Sequence, residues 1–269
     1  MNVIKHISAV MMAIIVGISV CGQTAQAGEV RLEKDTHFYL QGHTVGEEIE
    51  FRKGTVAVLN NIGELSEGVL NEEAYLRPVG WQSIIQDYSY AAAYIDARPF
   101  FPRLANTSHQ AVMMTFGHLP YKEKTKIVLD ENGYVISGTV KDDVTIALVE
   151  GKYGFVTLKG DNELVFYPDG KLKSGTLKED TNLRPVGWQK RLAVDSTSAG
   201  YVLFRAGEDV VFDENGEVII GTIKDTSPML TDKSGKVYLA GTKLLFAEDG
   251  LTEMAKAVDI PKPLKMGFE

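Results

Sequence analysis

Five glycines constrain this chain more than any other feature. Asn132-Gly133, Asp169-Gly170, Asn215-Gly216 and Asp249-Gly250 are strong turn signals, and Asn61-Ile62-Gly63 is a weaker fifth. Asn-Gly and Asp-Gly favour tight hairpins, because both positions can take the positive φ that matches strand twist. The flanks repeat in the same register. Four residues before each glycine stands Leu59, Leu129, Phe166, Phe212 or Phe246, followed by Asn60, Asp130, Tyr167, Asp213 or Ala247. Leu65, Val135, Leu172 and Val218 come two residues after the glycine, and Gly68, Gly138, Gly175 and Gly221 five after it. Leu70, Val140, Leu177 and Ile223 stand at plus seven, and Leu76, Ile146, Leu183 and Met229 at plus thirteen. Upstream, Phe51-Arg52-Lys53-Gly54 matches Phe204-Arg205-Ala206-Gly207, each nine residues before its turn glycine.

The unit this predicts is strand, Gly-centred bend, strand, tight turn, strand. The plus-two and plus-seven apolar positions are an odd number apart, so plain alternation sends them to opposite faces. A bulge at the plus-five glycine would restore one buried face. A single hairpin cannot bury its own apolar side, so neighbouring units must stack. The fold class expected is therefore mainly β: an array of stacked hairpin repeats forming antiparallel sheets. Successive turn glycines lie 70, 37, 46 and 34 residues apart. The first interval is two units long and holds either a degraded copy or an insertion.

Two copies share seven residues, Leu76-Arg77-Pro78-Val79-Gly80-Trp81-Gln82 and Leu183-Arg184-Pro185-Val186-Gly187-Trp188-Gln189, 107 positions apart. This points to two larger modules, 28–123 and 124–257, in one continuous stack, with a short tail at 258–269. Residues 83–123 break the repeat. Ile84, Ile85, Tyr88, Ala91, Ala92 and Ile95 fall at helical spacing, whereas Pro99 and Pro102 bracket Phe100 and Phe101, so a short helical or irregular insertion is expected there.

Hairpin repeats with a turn Asn-Gly and a following Gly resemble the MORN-like and related exported bacterial hairpin-repeat proteins, over roughly residues 49–256. The unit here is longer than a MORN repeat and lacks its Tyr-x-Gly signature. The resemblance implies a binding or scaffold surface and supplies no chemistry.

The N-terminus reads as a secretion signal. Lys5 precedes an apolar run from Ile7 to Val20, and Ala25-Gln26-Ala27 has the small-x-small pattern of a cleavage site. The run is shorter than the roughly 20 residues of a membrane-spanning helix. Residues 1–27 are thus expected to form a signal helix, and the mature chain of 242 residues to carry no transmembrane span and to be periplasmic or secreted. Lipidation at Cys21 is the rival reading, disfavoured by the bulky Val20 before it. Cleavage removes the single cysteine and Lys5, leaving 27 basic residues against 36 acidic and a net charge of −9. That balance argues against nucleic acid and anionic lipid as main partners.

No catalytic motif stands out. His37 and His43 could share one strand face, but two ligands without an acidic neighbour do not make a metal site. His109 and His118 lie away from any Ser-His-Asp arrangement. Acidic residues recur at one repeat offset, as Asp142-Asp143, Glu179-Asp180 and Asp225. A solvated loop, or a carboxylate capping turn N–H groups, explains them better than a calcium site per repeat. Neither a metal nor a cofactor is expected.

Three groups are candidates for binding. Trp81 and Trp188 could stack on a sugar ring or a partner chain, although packing one repeat against the next is the favoured role. Arg77 and Arg184, held extended by the following proline, could stack on a Trp or face water. Tyr88, Tyr94, Phe100 and Phe101 belong to the densest aromatic patch, in the segment that interrupts the repeat; recognition and the covering of a stack end are equally open. The expected function is a non-enzymatic binding or scaffold role at the cell envelope, toward a protein or a glycan. The alternative is a secreted hydrolase of cell-wall or glycan material.

Overall fold

The computed structural model describes residues 28–40, 48–81, 117–149, 153–192, 199–225, 230, 236–248 and 250–254. The expected signal segment, His43, His109, Tyr88, Tyr94, Phe100, Phe101 and the 258–269 tail all lie outside them.

The chain is mainly β, as its turn spacing predicts. Eleven strands form one antiparallel sheet: β1 (Gly28–Arg31), β4 (Val56–Leu59), β5 (Leu65–Val69), β8 (Lys126–Leu129), β9 (Val135–Thr139), β12 (Glu163–Phe166), β13 (Leu172–Thr176), β16 (Asp209–Phe212), β17 (Val218–Thr222), β18 (Lys243–Ala247) and β19 (Gly250–Glu253), side by side in that order. Four two-stranded ribbons join neighbouring strands of this sheet. They pair β2 (Thr36–Tyr39) with β3 (Glu48–Phe51), β6 (Ala74–Leu76) with β7 (Leu119–Tyr121), β10 (Val144–Val149) with β11 (Tyr153–Leu158), and β14 (Thr181–Leu183) with β15 (Val202–Phe204). A short helix, α1 (Trp188–Leu192), follows β14.

Each turn glycine closes one hairpin of the large sheet, and the first three of these hairpins each lead into a ribbon. The buried residues of sheet and ribbons form one continuous core, from Leu32 and Phe51 to Phe246 and Leu251. Arg77-Pro78-Val79 runs back to the turn end of the sheet, where Val79 N–H donates to Val135 O (3.0 Å) and Val135 N–H to Arg77 O (2.9 Å). Arg184, Val186 and Val218 repeat the same bonds (2.9 and 3.0 Å). The chain that follows the first strand of the second and of the fourth ribbon therefore reaches back to the turn end of the sheet, where Pro78 and Pro185 bridge in parallel to Val135 and Val218.

The turns differ from the expected two-residue form. Asn60, Asp130 and Asp213 start three-residue loops in which the glycine N–H donates to the carbonyl of the first residue, at 3.0 to 3.1 Å. Gly63, Gly133, Gly170 and Gly216 have φ of 75 to 90°, whereas Asn132, Asp169 and Asn215 do not take positive φ. This is a type I turn followed by a left-handed glycine, which needs positive φ at one position only. Ile62 can therefore occupy the middle of the first loop. The Asn60, Asp130 and Asp213 Oδ1 atoms each accept two backbone N–H groups, at 2.8 to 3.0 Å. The fifth turn alone pairs Ala247 directly with Gly250 across two residues.

The bulge also sits elsewhere. In four hairpins the register slips between the last two residues of the first strand, as at Val58↔Glu67 followed by Leu59↔Leu65. The extra residue is thus the one at plus three, and from there plus five and plus seven both face the core. The plus-five glycine makes room instead of bending the chain. A Cβ on Gly68, Gly138 or Gly221 would lie 2.5 to 2.8 Å from the ring of Phe51, Tyr121 or Phe204, the aromatic that ends the preceding ribbon.

Two further features settle the array. β5 pairs directly with β8 and β6 with β7, so the 70-residue interval contains an insertion and no degraded hairpin within the sheet. The repeat resumes at Leu119, before the end of the stretch read as irregular. Residues 28–40 form a half unit without a turn glycine. Leu32 N–H donates to Thr55 O (2.9 Å), as Leu70 N–H does to Thr125 O (3.1 Å).

Candidate functional site

The shared seven-residue segment ends each time in an Arg–Trp stack. The Arg77 guanidinium carbon lies 4.1 Å from the centre of the Trp81 ring, and that of Arg184 4.0 Å from Trp188. The extended Arg-Pro pair and the turn at Gly80 or Gly187 bring the two side chains together. Arg184 also lies 4.6 Å from the Tyr201 ring, and its Nε–H donates to Ala199 O (3.2 Å). His118 holds the place of Tyr201 in the first copy, because Leu119 pairs with Leu76 as Val202 pairs with Leu183. Burial pulls the Arg77 guanidinium below its ordinary pKa.

Both Trp rings are half-buried. The Trp188 Nε1–H donates to the buried Glu217 carboxylate at 3.0 Å. Gly200 backs the same ring so closely that a Cβ there would come within 2.6 Å of it. In the first copy Tyr134 stands where Glu217 does, and the buried Trp81 Nε1 has no hydrogen-bond partner. The adjoining glycines reach one turn further. A Cβ on Gly80 would fall 2.4 Å from the Gly170 Cα, and one on Gly187 3.1 Å from Ala247 O. Each segment therefore bonds to the next turn of the array and touches the one after it. Lys190 of α1 extends the second contact, its Nζ donating to Glu248 O at 2.8 Å.

The recurring carboxylates cap turns and join repeats. Asp35, Asp143 and Asp180 Oδ1 accept the N–H of Lys53, Gly160 and Ala206, at 2.7 to 2.8 Å, in the turns that follow the ribbons. Asp143 pairs with Lys178 (2.7 Å), Asp180 with Lys224 (2.9 Å) and Glu73 with Lys141. Each lysine lies eight residues after the turn glycine of the next unit. The Lys178 ammonium and the Gly160 N–H hold the Asp143 carboxyl below its ordinary pKa. Asp180 is lowered by Ala206 N–H and Lys224, and Glu73 by Lys141. Among the described residues no three His, Cys, Asp or Glu side chains converge as a metal site, and His37 lies 3.9 Å from Glu50.

The ribbons carry aromatics that the sequence reading passed over. Tyr39, Tyr75 and Phe155 are 51%, 57% and 51% exposed, on the first, second and third ribbons. Strand alternation could have revealed them, since each flanks a core residue: Leu40, Leu76 and Val156. The 82–116 segment follows Trp81, between the two strands of the second ribbon; between Trp188 and β15 of the fourth ribbon the chain spans only 189–201.

No protein-family model, curated protein or solved structure matches the chain.

Proposed function

We propose that this is an exported repeat protein of the cell envelope whose ribbon layer binds a partner protein or a glycan. The observation that carries the reading is the run of exposed aromatics on three successive ribbons, Tyr39, Tyr75 and Phe155. Large aromatics with half their surface exposed supply contact area with little ordering cost, which suits recognition. The 82–116 insertion, with Tyr88, Tyr94, Phe100 and Phe101, follows Trp81 in the chain and is the second candidate for binding. Arg77–Trp81 and Arg184–Trp188 tie the layer down to the turns.

The test is a crosslinking capture from native envelope with three baits: the unaltered protein, one with Tyr39, Tyr75 and Phe155 changed to Ser, and one with Tyr88, Tyr94, Phe100 and Phe101 changed to Ala. Circular dichroism first confirms that each folds. Capture by the first bait and loss with either variant supports the reading and says which surface binds. Equal capture by all three, or no capture, sinks it. The N-terminal residue of the exported protein checks the signal, with Gly28 expected.

A further inference from the structure

The large sheet ends at β1, and its outer edge has no partner strand among the described residues. Leu32 N–H faces β4. Backbone groups alternate along a strand, so Gly28 and Val30 also face β4 while Glu29 and Arg31 direct their N–H and C=O outward. Both side chains are exposed, and neither has an ion-pair partner among the described residues. They share one face, two positions apart, with the half-buried Val30 between them on the other face.

We propose that β1 is a self-recognition edge, on which a second copy of this chain docks antiparallel about a twofold axis through Val30. In that register Glu29 stands opposite Arg31 of the other copy, and Arg31 opposite its Glu29. Both are hydrogen-bonding positions, so four backbone hydrogen bonds form along with two cross-strand ion pairs. Val30 meets its own equivalent at the close, non-bonded position. The Gly-Glu-Val-Arg order is thus self-complementary in charge, in hydrogen-bond direction and in side-chain face. The edge at the other end, β19, is not: the same operation about Thr252 sets Leu251 against Glu253.

Sedimentation velocity on the purified full-length protein tests this, over a range of concentration and salt. A monomer–dimer equilibrium that weakens with added salt is expected. Arg31→Glu places like charges opposite each other at both pairs and should raise the dissociation constant at least tenfold. Glu29→Arg combined with Arg31→Glu restores opposite charges and should bring it back to within about threefold of the starting value. Glu29→Pro removes an outward N–H without touching the β4 ladder, so it should abolish the dimer and leave the melting temperature unchanged within a few degrees. A protein that stays monomeric at every concentration overturns the proposal. So does a dimer that survives Arg31→Glu, or one that the double exchange fails to restore.

Discussion

Tyr121 occupies a position held by Phe51, Leu158 and Phe204 in the other repeats, and its buried hydroxyl has no hydrogen-bond partner. Burial pushes the phenol pKa far up, so it stays neutral at any ordinary pH. Tyr121→Phe removes an unsatisfied polar atom while keeping the ring under Gly138. We expect stability to rise by about 1 kcal/mol, read from urea unfolding. Glu217→Ala should act in the opposite direction, because it leaves the Trp188 Nε1–H buried without its acceptor; a loss of about 1–3 kcal/mol is expected. Gly221→Ala forces a Cβ against the Phe204 ring and should cost about 1–3 kcal/mol in the same assay. Periodicity alone exposed the four plus-five glycines, but not their purpose. Their partners are the residues that end the ribbons, aromatic for three of the glycines and Leu158 for Gly175, which lie seventeen residues upstream across two turns and share no local pattern with them. Glu217 was illegible for a different reason. Its tie to Trp188 spans 29 residues, and the first copy has Tyr134 instead.

At the scale of the hairpin, the turn depends on the residue two positions before the Asn of Asn-Gly more than on Asn itself. Asp213→Ala removes an acceptor for two backbone N–H groups and should destabilise by about 1 kcal/mol, whereas Asn215→Ala should be within about 0.5 kcal/mol of neutral. Thermal melts of the two variants check the ranking, and equal losses would return the turn to the two-residue form. The carboxylates that join repeats make stability depend on pH. Glu73, Asp143 and Asp180 have folded pKa values below their ordinary ones, so the folded state holds fewer protons than the unfolded chain. Their contribution is present above the ordinary carboxylate range and is lost as pH falls through the lowered values. Melting temperature should decline on acidification below about pH 4.5, and less steeply when Lys178 and Lys224 are changed to Met. The spacing disclosed the hairpins because a glycine marks each one. It hid the half unit at 28–40, which has strands but no such marker. In the turns that follow the second and third ribbons, Lys124 and Asp161 take the positive φ that Gly54 and Gly207 take elsewhere, so only two of these turns could be aligned by eye.

Across the whole molecule, the sheet runs unbroken past the 82–116 insertion, since both flanking pairings, β5 with β8 and β6 with β7, are made by residues outside it. Replacing 82–116 by residues 189–199 should keep the melting temperature within a few degrees while removing whatever the insertion binds. Differential scanning calorimetry and the envelope capture separate the two effects. Stacked fold class was legible because a lone hairpin cannot bury its apolar side, a requirement that composition and period impose together. The second layer was not. Nothing local announces that the chain between two ribbon strands crosses back to the turn end; the backbone bonds of Val79 and Val186 to Val135 and Val218, and the close approach of Gly80 to Gly170, disclose it. Among the described residues the large sheet counts eleven strands, and that count has one more consequence. In an alternating sheet an odd number makes the first and last strands point the same way. Adding copies head to tail would set parallel neighbours at every junction, against the hand-over-hand pattern of the rest. The parity of the array therefore works against filaments, and growth by strand addition would stop at two molecules related by a dyad.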